Sequence, residues 1–107
     1  LRADPAAVTP VIRGWARDED LWLRRTAVLA QLKSKADTDT ALLDEVLVAN
    51  LEGSRHGRDF FIRKAVGWAL REYARTDPAW VRSFVDAHAG ELSGLTRREA
   101  LKHVRAV

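Results

Sequence analysis

The 107-residue sequence has no cysteine and no methionine, and only three prolines and six glycines. The missing cysteine excludes a disulfide framework, thiolate metal sites and cysteine nucleophiles, and it fits a reducing compartment. No apolar run approaches the ~18–20 residues that a membrane span requires. The opening Leu1-Arg2-Ala3-Asp4-Pro5 has no apolar signal core behind it,. The first residue is not methionine, so either the N-terminus is expected to have been removed or the chain to be cut from something longer. Aromatic residues are sparse, at 7%, so each one is informative. The three histidines, His56, His88 and His103, stand too far apart in sequence for a metal-ligand motif,. No glycine-rich loop offers a phosphate cradle, and Ser54 and Ser93 sit in ordinary turn contexts.

Apolar residues make up 47% of the chain, enough to bury a core, and charged residues 31%. There are 18 Lys and Arg, fourteen of them Arg, against 15 Asp and Glu. A net charge of +3 does not by itself identify a polyanion ligand,. The apolar positions recur at helical spacing and seldom alternate, so the chain reads as all-α. Six helices are expected. The first starts near Thr9-Pro10, a hydroxyl cap followed by a helix-first proline, with an extension possible over Pro5–Val8. The second runs from about Glu19 to Ser34 and the third from about Asp39 to Glu52. The fourth and longest runs from Asp59 to Arg75. The fifth follows Thr76-Asp77-Pro78, and the sixth opens at Thr96, where Glu99 three residues on suggests a capping box. Short connections imply three antiparallel pairs in one domain spanning residues 1–107.

The second and fourth helices are similar. Asp20–Leu29 aligns without gaps on Asp59–Trp68, an offset of 39 residues, and Arg97-Arg98 repeats the double cation of Arg24-Arg25 and Arg63-Lys64. Helix pairs repeating at this period are the signature of HEAT-like and armadillo-like solenoids. One member of each double cation, Arg25, Lys64 and Arg98, is expected to face a shared concave side. Arg71 follows Lys64 by two helical turns, and Lys102 follows Arg98 by one. Such a basic stripe suits a polyanion held by its phosphates. The same cations could instead be solvated partners of Asp59, Glu72 and Glu99. Trp68 shares a helix face with Lys64 and Arg71, and Gly67 opens space beside it. It is either a platform for a sugar or base or a packing residue. Trp15, Trp22 and Trp80 are expected mainly to pack, and the place of Trp22 at a helix start allows it to be half exposed.

Two segments carry a more specific resemblance. Trp22-Leu-Arg-Arg25-Thr-Ala-Val-Leu-Ala-Gln-Leu32 and Phe60-Phe-Ile-Arg-Lys-Ala-Val-Gly-Trp-Ala-Leu-Arg-Glu-Tyr-Ala74 resemble the DNA alkylation repair enzyme family, the AlkD-type DNA glycosylases. Thr76-Asp77-Pro78 and Arg98-Glu-Ala-Leu-Lys-His103 continue the likeness, which runs from about Trp15 to Val104. The resemblance implies HEAT-like repeats around a concave basic groove that binds duplex DNA. It implies hydrolysis of the N-glycosidic bond of N3- and N7-alkylated purines, without metal or cofactor, in the bacterial cytosol and nucleoid. It assigns Arg25 to the groove near the lesion, Trp68 to the lesion's deoxyribose, and Arg71 and Arg98 to further groove positions, while the repeated cations add Arg24, Lys64 and Lys102 as DNA-binding positions. The family's catalytic Asp and second active-site Trp precede the segment matching Trp15. The chain therefore reads as a C-terminal portion, with self-association possible through the N-terminal end of the repeat stack. A non-catalytic DNA-binding module and a protein-interaction scaffold are the alternatives.

Overall fold

The computed structural model describes residues 5–104, with six α-helices and no strand among them. They are α1 (Pro5–Trp15), α2 (Leu21–Leu29), α3 (Thr40–Val48), α4 (Phe60–Ala74), α5 (Pro78–Ala87) and α6 (Gly94–Ala100). Short 3-10 turns at Lys35–Asp37 and Ala89–Glu91 join α2 to α3 and α5 to α6.

Short polar side chains start five of the helices, because the first backbone N–H groups of a helix have no partner within it. Asp20 accepts from the Trp22 N–H at 2.8 Å, Asp59 from Phe61 at 2.8 Å, Asp39 from Leu42 at 3.1 Å and Asp77 from Trp80 at 3.0 Å. The α6 cap is Ser93, whose hydroxyl accepts from the Thr96 N–H at 3.1 Å. The expected capping box at Thr96 and Glu99 does not form. Thr96 lies inside the helix and its hydroxyl donates to the Arg63 carbonyl at 3.1 Å. Thr9-Pro10 is likewise not a helix start. Pro5 opens α1 and Pro10 lies within it, its fixed φ compatible with the helix at the loss of one backbone bond,. The second helix ends at Leu29, short of the expected Ser34. Beyond it the buried Gln31 donates to the Asp39 carbonyl at 3.1 Å and accepts from its N–H at 2.7 Å, which pins the turn into α3.

α4 is the centre of the molecule. It packs against α2 on one side and α6 on the other, with α5 also against it, while α1 and α3 pack on α2 and on each other. The molecule is 40 × 29 × 18 Å. The shortest dimension fits two helix layers at the usual axial separation of about 8–10 Å. Ile62, Ala65, Val66, Ala69 and Leu70 of α4 are buried on successive turns and join Val28, Leu47 and Val81 in one core. Each such Leu or Ile contributes about 1.5–3 kcal/mol of burial.

Two glycines are required by close approach. A Cβ at Gly57 would stand 1.7 Å from the Leu51 carbonyl oxygen. A Cβ at Gly67 would stand 3.0 Å from Cβ of Glu99 and 3.3 Å from its Cγ. Gly67 therefore makes room for α6, not for Trp68.

Candidate nucleic-acid interface

The double cations of the repeat are separated by the fold. Arg24 is buried, at 7% exposure. Its guanidinium donates to the carbonyls of Asp18, Arg17 (3.3 Å) and Ala49 (3.2 Å) and to Asn50 Oδ1 (3.3 Å). Burial pulls its pKa below the ordinary arginine value, and the Arg55 charge acts in the same direction. Asn50, fully buried, donates in turn to the Ala16 and Val46 carbonyls at 3.1 and 2.8 Å. Arg24 is thus the hub that joins the ends of α1 and α3 to α2. It is corrected here from a DNA-binding position to a framework residue, because its donors already have partners in the interior. Arg63, its equivalent 39 residues on, is half-buried and pairs with Glu52 at 3.1 Å.

The second members of these pairs face outward. Arg25 is half-buried on α2 and Lys64 is exposed on α4. Lys64 Nζ lies 5.5 Å from the centre of the exposed Phe60 ring, within cation–π range,. Arg63, Lys64, Arg71 and Lys102 line one cleft of about 370 Å³ between α4 and α6. Phe60 and Leu95 form its apolar wall, and Glu99 stands among the cations. Arg71 Nη1 donates to Glu99 Oε1 at 2.7 Å, and Lys102 Nζ lies 3.3 Å from Glu99 Oε2. The Arg71 hydrogen bond, helped by Lys102, holds the Glu99 carboxyl below the usual carboxylate range against the opposing effect of burial. His103 accepts from Arg71 Nε at 3.4 Å.

The cleft does not contain every residue singled out in the sequence. Trp68 is 42% exposed, one turn along α4 from Lys64, outside the cleft lining. Arg98 is exposed, with its guanidinium close over Gly94 at the start of α6. Arg25 is on α2, also outside the lining. Trp15 is 36% exposed, contrary to the packing expected of it, and Trp22 is 55% exposed, as its place at a helix start allows. Trp80 does pack, with its ring 5.4 Å from Tyr73 and 5.5 Å from Phe84.

An exposed aromatic cluster went unnoticed in the sequence. Trp22 and Phe61 meet at 5.3 Å between ring centres, and Phe60 lies 5.6 Å from Phe61. The repeat alignment carried the signal, since Trp22 and Phe61 are themselves 39 residues apart, at equivalent positions on helices that lie side by side. Among the described residues no group of three His, Asp or Glu side chains is placed to hold a metal ion, and no helix is long and apolar enough to cross a membrane.

No curated protein matches the chain. Among solved structures, one described as "Predicted DNA alkylation repair enzyme from Enterococcus faecalis" is similar, with a TM-score of 0.81 and 33% sequence identity. The match covers 95% of this chain and 46% of that protein, so the chain spans about half of its length. The family model for DNA alkylation repair enzymes matches residues 1–104. With the family model and the structural likeness in agreement, the chain belongs to the DNA alkylation repair enzyme family.

Proposed function

We propose that this chain supplies part of the duplex-DNA surface of a glycosylase that excises N3- and N7-alkylated purines. The observation that carries the reading is the convergence of Lys64, Arg71 and Lys102 on one open cleft beside the exposed Trp68. Cations so arranged suit a run of backbone phosphates, which fix position and carry little sequence information. Arg25 and Arg98 extend the basic surface along α2 and α6. In this reading Arg25 lies on the lesion side and Trp68 against the lesion's sugar.

The chemistry asks little of the protein. An alkylated purine carries positive charge and is already a good leaving group. The remaining need is to stabilise a sugar with oxocarbenium character, which an aromatic face does by cation–π attraction and a carboxylate does by opposite charge. The reading gives the aromatic part to Trp68 and assigns no catalytic carboxylate within residues 5–104. Excision then needs parts beyond those described here, whereas DNA binding does not. The same reading locates the protein with DNA in the cytosol. It also includes self-association through α1, where Val11 and Trp15 are exposed at 45% and 36%.

The test is a salt titration of duplex binding, followed by fluorescence anisotropy. With three to five phosphates neutralised at about 0.9 each, the log–log slope is expected between about −2.7 and −4.5. No binding at ~50 mM salt would remove the reading and leave the protein-interaction scaffold. Within an active enzyme, Trp68→Ala is expected to reduce excision of N7-methylguanine far more than binding. An equal loss of both would make Trp68 a simple contact residue.

A further inference from the structure

The cleft contains its own anion. Glu99 reaches into the cations from α6, with one carboxylate oxygen on Arg71 and the other beside Lys102. The carboxylate thus offers two oxygens to the two groups that a phosphate would use. Its stem has little freedom to withdraw, because Cβ and Cγ are seated over the bare backbone of Gly67. The Glu99 side chain is 26% exposed, Arg71 32% and Lys102 54%. Of the four cations lining the cleft, Arg71 and Lys102 are therefore engaged by Glu99 before any ligand arrives and Arg63 by Glu52, which leaves Lys64 as the one without a carboxylate partner among the described residues.

We infer that Glu99 is a built-in competitor of the DNA backbone, occupying the Arg71–Lys102 seat and setting how strongly a phosphate can bind there. The inference rests on the proposed DNA surface and deepens it by naming the residue that limits its affinity. A phosphate entering the cleft displaces the carboxylate from Arg71 and Lys102, which costs their mutual attraction. It also brings the phosphate close to a like charge that cannot move far. Binding is consequently weaker, and less dependent on salt, than the count of cations would give.

The experiment compares wild-type protein with Glu99→Gln, which keeps the shape and removes the charge. The probe is an unmodified duplex of ~20 base pairs, read by fluorescence anisotropy across a salt series. Glu99→Gln is expected to bind roughly 5- to 20-fold more tightly at ~100 mM salt, with a log–log slope steeper by about 0.9 to 1.8, one or two further phosphates. Glu72→Gln is the control for net charge, since Glu72 pairs with Arg75 at 3.8 Å and does not line this cleft. Its affinity is expected to rise less than twofold.

Unchanged or weaker binding by Glu99→Gln, when wild type binds, overturns the inference and makes Glu99 a simple α4–α6 strut. An equal rise in both variants also overturns it, by reducing the effect to overall charge. Binding by Glu99→Gln that persists to higher salt than wild-type binding supports it strongly. Failure of both proteins to bind at ~50 mM salt removes the DNA surface itself, and the competitor with it. Should Glu99→Gln unfold, Glu99→Asp gives the same test, since its shorter stem withdraws the carboxylate from Lys102. It is expected to bind between wild type and the neutral variant in affinity, and no gain over wild type overturns the inference.

Discussion

Arg24 and Arg25 are adjacent in the chain and have opposite surroundings. Arg24 satisfies three backbone carbonyls and a buried amide, whereas Arg25 has no hydrogen-bond or ion-pair partner among the described residues. Removing a buried charged donor leaves its acceptors unpaired, which typically costs about 2–4 kcal/mol. Arg24→Met is therefore expected to lose that much stability in urea unfolding. Arg25→Ala is expected to stay within about 0.5 kcal/mol of wild type, while weakening duplex binding. Equal stability of the two variants would mean that Arg24 is not the hub described here. A one-atom-scale constraint holds at Gly67. Alanine there gains about 1 kcal/mol of helix propensity, but its methyl would press on Glu99 Cβ, an atom fixed to the α6 backbone. Relief requires moving α6, and overpacking of this kind costs about 1–3 kcal/mol. Gly67→Ala is accordingly expected to be net destabilising, as a lowered midpoint in thermal unfolding.

At the scale of elements, the α4–α6 contact has an apolar part and an ionic part. Gly67 and Ala100 allow close approach, and Glu99 bridges from α6 to Arg71 of α4. Because the folded state lowers the Glu99 pKa, the unfolded chain binds that proton more readily. The stabilisation is therefore fully present above the unfolded value of about 4.3 and is lost as pH falls through the lower folded value. Wild type is expected to exceed Glu99→Gln in stability at pH 6–7, and the difference should shrink below about pH 4. Denaturant unfolding of both proteins across that range checks it. A difference independent of pH would place the effect in packing. The α2–α4 contact carries the repeat differently. Equivalent aspartates cap both helices and equivalent aromatics, Trp22 and Phe61, meet across them.

For the whole molecule, two helix layers set the surface available. Among the described residues α2, α4 and α6 pack in that order, α4 in contact with both, and the cleft lies on the α4–α6 part of this row. The far side of α1 leaves Val11 and Trp15 exposed. Stacked repeats cover such end faces with neighbours, so concentration-dependent association is expected in sedimentation velocity, reduced by Val11→Arg. A monomer over the whole concentration range would count against the α1 face as a contact surface.

The sequence by itself determined the all-helical class, the number of helices, the starts of α3, α4 and α5 and the 39-residue repeat. These are local properties, set by apolar period, by short polar residues before each helix and by proline position. Spacing along α4 also put Lys64 and Arg71 on one side of that helix. Tertiary structure decided what the neighbours of each side chain are. Adjacent residues on a helix point about 100° apart, so one of Arg24 and Arg25 must turn inward, but only the position of α3 and its Asn50 makes Arg24 the one that is buried. The Thr96–Glu99 capping pattern was misleading for the same reason. Both side chains could serve the helix they belong to, and α4 offers each a better partner, the Arg63 carbonyl for one and Arg71 for the other. Periodicity gives a direction around a helix axis, and only the packing of a second helix gives that direction a partner.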